Sequence, residues 1–144
     1  MGGRLMAGRT AGDDEGSVLL LALGYALLAL ALIFVCVCAT DLYVTQKRLD
    51  ALADSAALAG ADGFTLTLDG EDARAELDDE GVRAQVDALL AALPTDARLV
   101  SAGTPDGLSA RVTVEGEWRP PLFSLFLPDG VRLEATGTSR TALQ

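Results

Sequence analysis

The chain of 144 residues has no histidine, which removes the Ser-His-Asp and Cys-His routes to an activated nucleophile and most catalytic zinc sites. No glycine loop of the P-loop or dinucleotide type is present, so no phosphate cradle is encoded. Cysteine is nearly absent: Cys36 and Cys38 are the two. Two residues apart on a helix, they point about 200° from one another and do not readily close a disulfide. They read as small apolar packing residues, with lipid attachment the alternative, and everything after them must be stable without disulfides. Positive charge is scarce as well. Residues 49 to 144 carry 17 Asp/Glu against 7 Arg, which argues against nucleic acid, whose phosphates need clustered cations, and against electrostatic docking on an anionic membrane. Catalytic carboxylate pairs need a cleft and a raised pKa, and the sequence locates neither. The expectation is no enzyme, no cofactor, no metal and no small-molecule substrate.

What is present is one long apolar run. Ser17 to Thr40 holds 24 residues with no charge and no proline. At about 1.5 Å per residue it spans roughly 36 Å as a helix, against roughly 30 Å of hydrocarbon in a bilayer. Backbone polar groups in lipid must be satisfied within the segment, so a single run crosses as a helix. A cleaved secretory signal would have a shorter apolar region and a small-residue exit. Val35-Cys36-Val37-Cys38-Ala39-Thr40 is a poor one.

Before the run, Met1 to Glu15 is rich in Gly, Arg and Asp without periodicity, which reads as a disordered tail. Asp13-Asp14-Glu15 precedes the helix, where negative charge suits the dipole, and Ser17 is a suitable N-cap. Arg4 and Arg9 are balanced by Lys47 and Arg48, so charge leaves the orientation open. The short tail favours an N-terminus inside the cytoplasm. Four segments follow: residues 1–16 a disordered cytoplasmic tail, 17–40 a transmembrane helix, 41–63 a helical stalk, and 64–144 a small extracytoplasmic domain.

In the stalk, Leu42, Thr45, Leu49, Leu52, Ala56 and Ala59 recur at spacings of three and four, a narrow stripe with Lys47, Asp50 and Asp54 off it. It packs either on this chain's own domain or on neighbouring subunits, and both readings stand. Gly60 and Gly63 are placed to end the helix. Phe64 to Leu68 alternates like a strand, and Asp69 to Glu80 reads as an acidic turn. Its carboxylates suggest calcium or a solvated loop with a helix cap, and their spacing does not match an EF-hand. Val82, Val86, Leu89, Leu90 and Leu93 share one helical face, capped by Asp78 or Asp79 and stopped by Pro94.

Arg98 to Ala102 is a strand, and Thr104-Pro105-Asp106-Gly107 a turn. Leu108, Ala110, Val112, Val114 and Trp118 alternate with polar residues in the clearest strand, and Val131, Leu133 and Ala135 mark the last. Trp118 with Leu122 to Leu127, and within that Phe123 and Phe126, either completes the core or forms an apolar ledge for a partner. The fold class is α+β: a long N-terminal helix, then a small antiparallel sheet with one packed helix.

One stretch carries a resemblance. A Gly16-Ser17 start, the apolar helix, Asp41 just beyond it, and Ala53-Asp54-Ser55-Ala56-Ala57-Leu58-Ala59-Gly60-Ala61 together resemble the TadE/TadG-like pilus-assembly proteins of the bacterial tight-adherence, or Flp-type, pilus system. The likeness covers about Gly16 to Ala61, and the later part resembles the short TadG-related form. It implies a bitopic, minor-pilin-like protein of the inner membrane that assists assembly or envelope anchoring of an Flp-type pilus. The implied partners are the lipid bilayer, other pilus-assembly or pilin-like subunits, and copies of itself. It also implies Gly16 and Ser17 as a prepilin-type processing site, although Leu21 stands where pilin-type precursors carry glutamate at the fifth position. The competing expectation is a membrane-tethered extracytoplasmic binding module unrelated to pili.

Overall fold

The computed structural model describes residues 11–69, 72–120 and 130–140, with side chains described for 16–66, 76–120 and 130–140. The element order is α1 (Ala11–Ala61), β1 (Thr65–Asp69), β2 (Asp72–Glu76), α2 (Asp79–Ala92), β3 (Arg98–Gly103), β4 (Ser109–Trp118) and β5 (Val131–Arg140). The chain divides into two units, one ending at Ala39 and one beginning at Thr40.

The first unit is helical throughout its described part. The helix already runs from Ala11, the first described residue, ahead of the start at Ser17 that the sequence suggests. Asp13, Asp14 and Glu15 are thereby helical, and Ser17 is an interior residue rather than the N-cap. Every Leu, Ile and Val from Val18 to Val37 is between 51 and 73 % exposed. Within the stretch from Gly16 onward an 18-residue window reaches a mean hydropathy of 2.9. It is long and apolar enough to cross a membrane.

The second unit has two layers. Strands β3, β4 and β5 form an antiparallel sheet in that order. Strands β4 and β5 pair along their whole length, from Ser109 opposite Arg140 to Trp118 opposite Val131. Alternation then sorts the side chains. Ala110, Val112, Val114 and Ala135 are buried on one face, while Arg111, Arg132, Glu134, Thr136 and Thr138 stand exposed on the other. Strand β3 joins β4 with a register shift between Leu99 and Ser101. This bulge turns Val100 outward, 48 % exposed, and lets both Leu99 and Ala102 pack toward the core.

The helical layer comes from α2 and the last third of α1. Leu49, Ala53, Ala56, Ala57 and Ala61 join Val82, Val86, Ala110, Val112, Val114 and Ala135 in one buried cluster. The last turns of the segment read as a stalk thus pack on the chain's own sheet, one of the two placements its stripe left open, and the second unit starts at Thr40. Val82, Val86, Val112 and Val114 are the largest fully buried side chains, each stabilising by about 1.5–3 kcal/mol relative to exposure. Small residues on α1 make the close approach feasible: a Cβ on Gly60 would meet Val82 Cγ1 at 2.9 Å and Ala110 Cβ at 3.3 Å. Gly60 therefore lies inside the helix as a contact residue, and α1 ends at Ala61.

Helix α2 starts where its cap dictates. Asp78 is extended and its carboxylate accepts from the Gly81 N–H, with Asp79 and Glu80 in the first turn. Strands β1 and β2 form a separate two-stranded hairpin, from Thr65 opposite Glu76 to Asp69 opposite Asp72. The acidic turn expected from Asp69 to Glu80 is here partly strand: pairing satisfies the backbone of an already extended β1, and that outweighs the poor strand propensity of acidic residues.

Candidate functional site

Two surfaces on the described chain are unusual for a protein in water. The larger is the apolar helical stretch of the first unit, where every Leu, Ile and Val is more than half exposed. Exposed apolar area of this extent is compatible with a surrounding of lipid or of other apolar helices.

The second surface begins at the first charge after that stretch. Asp41, in α1, accepts a 2.8 Å hydrogen bond from Nε1 of Trp118, the last residue of β4. An indole N–H that is half buried finds a partner where it can, and a carboxylate acceptor makes the bond stronger than a neutral one. The bond spans 77 positions of sequence and closes the end of the sheet onto α1. Further along α1 the helix bonds the sheet again, this time at the edge strand β5, through Gln46 Nε2 to the Glu134 carbonyl at 3.1 Å. Gln46 also donates to Asp50, and Lys47 pairs with Asp50 at 2.9 Å while lying over the Tyr43 ring at 5.9 Å. Tyr43 is 63 % exposed.

The stripe residues are distributed as follows. Leu49 and Ala56 are buried against the chain's own sheet, while Leu42, Leu52 and Ala59 are half-buried. Ala53, Ala57 and Ala61, which the spacing argument left out, are also buried. The opposite side of α1, with Tyr43, Ala51, Ser55 and Leu58, faces outward. Gly16 and Ser17 are exposed within the helix. Trp118 is placed as described, whereas Phe123 and Phe126 lie outside the described residues.

The acidic segment has local duties. Asp78 caps α2, and Asp79 accepts from the Thr104 N–H at 2.7 Å, tying the helix start to the end of β3. Asp106 accepts from the Leu108 and Ser109 N–H groups at 3.0 and 2.6 Å and from the Ser109 hydroxyl at 3.0 Å. The Leu108 and Ser109 amides hold its carboxyl below the usual range. Gly107, at φ +72°, completes that turn in a conformation that favours glycine. Among the described residues no three acidic or cysteine side chains converge as a metal site would need.

One open groove of about 950 Å³ lies at the start of β3, lined by Arg98, Glu115, Glu117, Arg119 and Arg132 among others. Arg119 pairs with Glu117 at 2.8 Å, and Arg132 lies 3.7 Å from Glu115. Its walls are charged and largely self-compensated, unlike the apolar walls that hold small ligands.

Sequence reasoning saw Asp41 and Trp118 separately and did not join them. The signal was there in part: Asp41 is the first charge after the apolar run, and Trp118 is the chain's single tryptophan.

Residues 16–63 match the family model Tad, described as Flp pilus-assembly TadE/G-like. No curated protein and no solved structure matches the chain.

Proposed function

We propose that this chain, a TadE/TadG-like pilus-assembly protein by its residues 16–63, is a minor-pilin-like structural subunit. In this reading it assists assembly of an Flp/Tad-type pilus or anchors it at the envelope. It sits in the inner membrane with residues 17–40 in the bilayer, the N-terminus in the cytoplasm and the second unit outside. The observation that carries the reading is the apolar surface from Val18 to Val37, in which every Leu, Ile and Val is more than half exposed, on the same helix whose later turns are core residues of a folded domain. Such a segment is stable in lipid and equally stable against apolar helices of other subunits, because neither exposes it to water. Assembly then exchanges one apolar neighbour for another.

The natural partners are pilin-like or assembly subunits, with copies of the chain itself among them. Nothing in the chemistry of this surface calls for catalysis. A prepilin-type cut between Gly16 and Ser17 belongs to the same reading, although Leu21 stands where such precursors carry glutamate; the intact mass of membrane-extracted protein shows whether the cut is made.

The test is cross-linking from membranes followed by deletion of the gene. Recovery of pilin or pilus-assembly components, with loss of surface pili on deletion, is expected. Unchanged pili and no such component in the cross-linked material would sink the proposal.

A further inference from the structure

We infer that the end of the second unit bearing Trp118 rests in the lipid headgroup layer, with Trp118 and Tyr43 as its interfacial anchors. The inference builds on the membrane reading above. An uncharged run of 24 residues is about 36 Å long, against roughly 30 Å of hydrocarbon, so about two residues extend past the hydrocarbon at each end. Asp41 therefore stands within a few ångströms of the hydrocarbon edge, inside a polar layer roughly 5–7 Å thick.

Whatever bonds Asp41 lies at the same depth. The Trp118 indole does, at 2.8 Å. Tyr43, two residues further and 63 % exposed, lies about 3 Å beyond Asp41 along the axis. Trp and Tyr, apolar in body and polar at the tip, are the side chains that settle at this level. Val131, paired with Trp118 in the sheet and 37 % exposed, adds apolar surface at the same end. Arg119 follows Trp118 in sequence and Lys47 follows Tyr43 by one helical turn, and both cations are exposed toward solvent. Lipid is favoured over a protein partner here because Asp41 directly follows the apolar run in sequence. The attraction is aromatic and apolar, so it needs no anionic lipid and is compatible with the domain's negative charge.

A single tryptophan makes the test direct. The full chain is reconstituted into zwitterionic phosphatidylcholine vesicles containing lipids brominated at shallow or deep acyl positions. The expected result is a large loss of Trp118 emission with shallow bromines, a small loss with deep ones, and protection from aqueous iodide relative to the detergent-solubilised chain. Full iodide access with no bromolipid quenching would overturn the inference while leaving the membrane reading intact, provided the protein survives a carbonate wash. Release by carbonate would overturn both.

Discussion

The Cβ that Gly137 lacks would lie on the carbonyl oxygen of Ala53, so β5 and α1 touch backbone to backbone at this point. No rotamer change can relieve a clash with main-chain atoms, and the sheet would have to lift from the helix. Gly137→Ala should therefore cost about 3 kcal/mol, toward the upper part of the range for overpacking. The readout is thermal unfolding of the detergent-solubilised full chain by near-ultraviolet circular dichroism. A midpoint unchanged from wild type would show that this approach is not as close as described.

Gly116 gives a contrasting case. A Cβ there would meet Leu49 Cδ1 at 3.3 Å, the flexible end of a side chain, so Gly116→Ala should cost far less than Gly137→Ala. Leu49→Ala should cost about 2–5 kcal/mol as a buried truncation, because Leu49 is 7 % exposed. Combined, the two substitutions should be less destabilising than their sum, since the methyl added at 116 enters space that Leu49 vacates. Strict additivity would separate Leu49 from this contact.

The elements that could be read from the chain are those whose signal is local. Helix α2 combines an apolar face from Val82 to Leu90 with an acidic cap, and β4 alternates over ten residues; both need only their own periods. The apolar helix needs only its length. The start of α1 was misplaced because Ser17 satisfies the rules for a cap while the residues before it are equally compatible with helix. Strand β2 was hidden because its acidic sequence disfavours extension and only its partner β1 makes it strand. Alanine is silent about direction: Ala53, Ala57 and Ala61 are buried and Ala51 is exposed, and composition cannot tell them apart. The Asp41 to Trp118 bond and the Gly137 contact join distant positions, so no local pattern pairs the residues that make them.

Asp106 confers a pH dependence with a defined sign. Backbone amides of Leu108 and Ser109 lower its folded pKa, so the folded state favours the ionised form. The contribution is complete above the unfolded value of about 4 and is lost as the pH falls through the lowered folded value. Asp106→Asn keeps an acceptor oxygen but not the charge. The stability gap between wild type and Asp106→Asn should be constant near neutrality and shrink only below about pH 4. A gap that widens on acidification would contradict the turn geometry.

The Asp41 to Trp118 bond predicts a graded series. Asp41→Asn retains an oxygen that can accept from the indole, though without charge, whereas Asp41→Ala removes the acceptor. Hydrogen bonds to charged groups contribute about 1.5–3 kcal/mol and neutral ones about 1, and this pair is exposed enough to sit at the low end. Asp41→Ala should lower stability by about 1.5 kcal/mol and Asp41→Asn by less than that. Because the indole is the only one in the chain, its emission reports the same event: the alanine variant should change the maximum more than the asparagine variant. If both variants match wild type in midpoint and emission alike, the carboxylate does not hold the indole, and the end of β4 is attached to α1 by packing alone.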